Sequence, residues 1–154
     1  MKKASSLSLF LLGLCFTVLA HDGFSQDKGF GLGVILGEPT GISGKSWLNR
    51  RNAVDGGLAW SFRGEGSLHI HADYLWHFHD AIEASEKLVP FVGVGGRLAT
   101  RGEAVFGVRI PVGLVWWPKQ VPLDVFAEIV PIVDLAPATE LRANAGVGVR
   151  FYFP

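Results

Sequence analysis

Four histidines stand close together in Leu68–His79, and all share one parity with an aspartate: His69, His71, Asp73, His77 and, at the end, His79. A His-x-His pair on one strand face has a spacing that can chelate a metal ion. A metal site would need further ligands from neighbouring strands, such as Asp55. The reading favoured by the residues is an interior polar network, in which imidazoles bond to carboxylates or water. Gly44-Lys45-Ser46 has the end of a phosphate-binding loop, but Pro39 stands where that loop needs glycine, and no strand–loop–helix context surrounds it. Lys45 reads instead as an interior cation facing Glu38 or Asp55. No cofactor is expected.

These side chains need a frame, and alternation supplies it. In Leu68–His79 the even positions are Leu68, Ile70, Ala72, Tyr74, Trp76 and Phe78; the odd ones are His69, His71, Asp73, Leu75, His77 and His79. A helix would scatter the two sets around its circumference, whereas a strand puts them on opposite faces. The same pattern marks Ala53–Phe62, Val105–Trp117 and Leu141–Phe153, and more weakly Gly29–Gly37, Thr40–Leu48, Leu88–Leu98 and Pro122–Asp134. That makes eight strands, several about as long as a tilted strand needs to cross a bilayer. Turn residues separate them at Glu38-Pro39-Thr40, Asn49–Asn52, Arg63–Gly66, Thr100–Glu103, Pro118–Gln120 and Ala136–Ala138. The longest connection, Asp80–Lys87, has the composition for one helical turn. Short connections imply an up-and-down meander.

Three features favour a membrane barrel over a soluble sandwich. The polar face is rich in glycine (Gly31, Gly33, Gly93, Gly95, Gly107, Gly113, Gly146, Gly148), where a soluble surface would carry Lys, Glu, Thr and Ser. A narrow lumen needs small residues opposite long ones. Aromatic residues collect at strand ends: Phe30, Trp76, Phe78, Trp116, Phe151 and Phe153 near one rim, Trp60, Phe62 and Phe106 near the other, as in an aromatic girdle. The polar face also balances its charges, with Lys45, Arg97, Arg109 and Arg150 set against Asp55, Asp73, Glu128 and Asp134. Charges in a closed interior must pair.

The chain has 154 residues, 14 basic and 14 acidic, enough for one domain. Its balance gives no field for nucleic acid. Residues 1–20 read as a signal peptide, with Lys2 and Lys3 before the apolar Leu7–Leu19 and cleavage expected after Ala20, or alternatively after Gln26. Residues 21–154 are the barrel. Cleavage would remove the one cysteine, Cys15, so the mature chain could hold no disulfide.

Gly31–Lys45, Leu68–His77 and Gly146–Phe153 together resemble the small outer-membrane β-barrels similar to the OmpA membrane domain, and bacterial barrels of unassigned role within that group. The resemblance covers nearly all of the mature chain. It implies an all-β, eight-stranded antiparallel transmembrane barrel in the outer membrane, in contact with outer-membrane lipid and monomeric. It also implies that the last strand is read by the barrel-assembly machinery; Pro154 after Phe153 departs from a terminal aromatic. Such barrels serve as anchors, adhesins, enzymes or pores. The expected role is structural, with no catalytic residue and no metal. A narrow pore comes second and a lipid-modifying enzyme third.

Overall fold

The computed structural model describes residues 28–62, 66–83 and 87–153. The expected signal peptide and its cleavage sites lie outside them. The strands are β1 (Phe30–Glu38), β2 (Thr40–Trp47), β3 (Asn52–Ser61), β4 (Ser67–His77), β5 (Lys87–Arg101), β6 (Glu103–Arg109), β7 (Val112–Trp117), β8 (Leu123–Ala136) and β9 (Glu140–Phe153). Every pairing is antiparallel. Strands consecutive in sequence pair around the ring, except that β6 and β7 share one place between β5 and β8, and β1 closes on β9 from Phe30↔Phe153 to Glu38↔Ala145.

Nine elements make eight staves. The expected strand Val105–Trp117 is interrupted at Ile110-Pro111, yet its two halves keep one register against both neighbours: Arg109↔Ile132 and Val112↔Ile129 on one side, Gly95↔Arg109 and Val92↔Val112 on the other. Proline explains the gap. Gly93 N donates to Pro111 O and Ile110 N to Pro131 O, at 2.8 and 2.9 Å. The reciprocal bonds are missing because neither proline has an N–H. Two adjacent seams thus lose one ladder bond at the same level.

Following the registers once around the ring gives a shear of about ten residues, which tilts the strands by about 40°. The end holding Phe30 and Phe153 is level. The opposite end is not: β1 and β2 have 9 and 8 residues, while β8 and β9 have 14 each. In the Asp80–Lys87 connection, the described residues form no helix; residues 84–86 are outside the description.

The apolar face is outside. Leu32, Val34, Leu36, Ile42, Leu58, Ile70, Val94, Leu98, Val112, Ile129 and Val147 are all exposed. The other face fills the interior, and its glycines make room for large neighbours. A side chain at Gly31 would strike the Tyr152 ring, one at Gly113 the Phe91 ring, and one at Gly148 the Phe126 ring, each at under 3 Å. Gly33 is tighter, because a Cβ there would lie 1.8 Å from Val149 O, across the closing seam.

Candidate functional site

The interior is charged and nearly full. Among the described residues, Lys45, Arg97, Arg109 and Arg150 are buried there with Asp55, Asp73, Asp124, Glu128 and Asp134. Strand alternation delivers all of them: each has the parity that its strand turns inward.

Three groupings divide this charge along the axis. Nearest the level end Arg150 lies between two carboxylates, with Nη2 3.6 Å from Asp55 Oδ2 and Nη1 3.7 Å from Asp124 Oδ2. Its Nε donates to Ser43 Oγ at 3.1 Å, and the guanidinium sits 3.8 Å over the Phe126 ring. At mid-height, Arg109 Nε is 2.9 Å from Asp73 Oδ2, and its Nη2 is 3.5 Å from Glu128 Oε1. Towards the uneven end, Arg97 grips Asp134 through Nε and Nη2 at 2.7–3.0 Å. Arg142, half-buried, donates to the same carboxylate at 2.9 Å and also pairs with Glu140. Counting Arg142, five cations meet five buried carboxylates. This balance keeps a charged interior affordable.

The level end is closed by rings. Trp47 stands 4.4 Å from the His77 ring and 5.9 Å from Trp117; His77 contacts Phe91 at 5.5 Å and His79 contacts Trp117 at 5.3 Å, centroid to centroid. Lys45 connects this floor to the charges above. Its Nζ is 2.8 Å from His77 Nε2, 4.3 Å from the Trp47 ring and 3.9 Å from Asp124 Oδ2. Tyr152 donates its hydroxyl to the same Asp124 oxygen at 2.7 Å.

The three histidines do not converge. Ser67 Oγ and His69 Nε2 are 2.7 Å apart near the uneven end; His77 lies in the floor; His71, half-buried, borders a recess between them. Among the described residues no three His, Cys, Asp or Glu side chains form a metal-binding group. The recess, walled by Glu38, Ala59, His71, Arg109, Glu128 and Asn144, has a cavity volume of about 10 Å³, room for one water. The aromatic residues Phe30, Trp60, Phe62, Trp76, Phe78, Phe106, Trp116 and Phe153 are exposed on the outer wall, with Phe151 half-buried beside Phe153.

Sequence reasoning missed Asp124, the carboxylate shared by Lys45, Arg150 and Tyr152. It has the same parity as Glu128 and Asp134, which was the available signal. It sits two residues past the Pro122 turn, where charges are usually solvated. Lys45 has its contacts at Asp124 and His77, while Asp55 faces it only as a register partner.

No family model matches the chain, and no curated protein does. Two solved structures are similar to it. The N-terminal β-barrel domain of Pseudomonas aeruginosa OprF aligns with a TM-score of 0.66 at 15% identity, over 80% of this chain and 96% of that one. Neisserial surface protein A aligns with a TM-score of 0.56 at 16% identity, over 80% and 93%. At such identities the likeness is one of fold. The fold is an eight-stranded, antiparallel, up-and-down β-barrel, like that of the two outer-membrane proteins it aligns with.

Proposed function

We propose that the chain is a monomeric structural barrel of the bacterial outer membrane, with both termini on the periplasmic side and a closed lumen. It carries no enzymatic activity in this reading. Its partners are outer-membrane lipid and, through β9, the barrel-assembly machinery. The observation that supports it most is the lumen itself: five buried carboxylates matched by four buried cations and half-buried Arg142, above a floor of Trp47, His77, Phe91 and Trp117. Eight strands leave an interior that side chains can fill.

Planar-bilayer recording tests it. Pure protein is expected to give no stepwise current. Stepwise currents would overturn the closed reading in favour of a narrow pore, which the recess reaching Arg109 and Glu128 supports as the second choice. In that case Arg109→Ala should change the conductance or its ion selectivity, because Arg109 bridges Asp73 and Glu128 across the lumen.

A further inference from the structure

A larger cavity lies at the level end, on the rim of the barrel. Its volume is about 300 Å³, at the lower end of the range for small-molecule sites. The β2–β3 turn brings Arg51 to one side of it, and the start of the β4–β5 connection brings Asp80 to the other; Asn52, Trp76, Phe78 and the buried His77 also line it. Backbone bonds hold both sides in place. Asn49 Oδ1 accepts from Arg51 N and Asn52 N, each at 2.9 Å. Arg51 O accepts from His77 N at 2.7 Å, which ties the turn to the end of β4. Across the cavity, Phe78 N donates to Pro90 O at 2.9 Å and Ala81 N to Phe78 O at 3.3 Å.

On these fixed backbones two opposite charges stand side by side. Arg51 Nη2 is 3.8 Å from Asp80 Oδ2, and the side chains are 75% and 92% exposed. So exposed a pair contributes little, and a ligand can replace it at little cost. The depth of the cavity is set by its rings. Trp76 and Phe78 are exposed on the outer wall; the Tyr74 ring lies 4.8 Å from that of Trp76, and its hydroxyl accepts from Asn52 Nδ2 at 2.6 Å. Aromatic rings with a polar tip settle at the level of lipid headgroups. Water can solvate either charge, but it has no use for the rings beside them. A zwitterionic headgroup matches all three features: its phosphate suits the planar guanidinium fork, and its ammonium suits a carboxylate next to an aromatic ring.

We propose that this cavity is a binding site for the phosphoethanolamine headgroup of a membrane lipid. Arg51 holds the phosphate. Asp80 holds the ammonium, with Trp76 beside it, and the acyl chains leave past Trp76 and Phe78 along the apolar wall. In the outer-membrane reading, on which this assignment rests, the level end faces the periplasm, so the lipid belongs to the periplasmic leaflet.

The test uses the full chain refolded in dodecyl maltoside micelles, a detergent with neither phosphate nor ammonium. Short-chain phosphatidylethanolamine, added in steps, should shift the Trp76 indole N–H signal in NMR spectra along a saturating curve. Phosphatidylglycerol of the same chain length keeps the phosphate and lacks the ammonium; it should bind about tenfold more weakly, the loss expected for one charge-assisted contact. Arg51→Gln should weaken phosphatidylethanolamine by about tenfold on the same ground. Asp80→Asn should abolish the preference between the two lipids. Both side chains are exposed, so both variants should keep the heat-modifiable folded band. Equal binding of the two lipids by the parent chain would overturn the proposal, as would unchanged binding by Arg51→Gln. Soluble phosphoethanolamine giving the same shift at the same concentration would overturn the lipid as ligand in favour of a free phosphoryl compound. In each of these cases a folded micellar barrel leaves the outer-membrane reading standing. A chain folded and soluble without detergent would overturn that reading and this site with it.

Discussion

Arg150 holds the largest share of the interior charge. Its guanidinium faces Asp55 and Asp124, both buried, so its removal leaves two carboxylates without their cation. Arg150→Ala should cost about 3–5 kcal/mol, the usual penalty for breaking a buried pair on one side. Urea titration of the refolded barrel in detergent should show it as a lower midpoint; an unchanged midpoint would mean that water reaches these groups. Tyr152→Phe removes only the hydroxyl that donates to Asp124. A smaller loss is expected by the same titration, about 1–3 kcal/mol. Much of this chemistry was legible from parity, because alternation gives every strand residue a side. The partners were less so. Which cation meets which carboxylate depends on shear and on side-chain length, and neither is written locally. That is why Lys45 reads as facing Glu38 or Asp55 in the sequence, while its ammonium reaches Asp124 and His77 in the fold.

All eight staves were recognisable as strands because period-two patterning and turn residues agree. The break at Ile110-Pro111 was not, although the proline was in plain view. A proline inside an alternating run removes one donor without shifting register, so the run reads as continuous. The composition of Asp80–Lys87 allows one helical turn; of its residues, the described 80–83 and 87 are not helical, and 84–86 lie outside the described residues. The glycines carry a sharper expectation. Gly33 lies where β1 meets β9, with no room for a Cβ beside Val149 O. Gly33→Ala should prevent closure of that seam. Gel migration then checks it: the variant should lose the compact, heat-modifiable band that the parent chain shows when unheated. An intact band would mean that β1 can shift away from β9 without opening the ring.

For the molecule as a whole, the arrangement is an apolar exterior around a paired interior, the reverse of a soluble domain. Recovery in the outer-membrane fraction and a mobility change on heating are the expected behaviour; a chain soluble without detergent would refute it. The unequal stave lengths have a further consequence. Five extra residues on β8 and β9 add about 12 Å along the barrel axis at this tilt. In the outer-membrane reading, the lipid-facing belt is therefore short at β1–β2 and tall from β5 round to β9, which adjoins β1. Lipids would then adapt by thinning beside the short side, or the whole barrel would lean. A barrel so placed would impose a direction on the bilayer around it, and neighbouring molecules that favour thin membrane would collect on one flank.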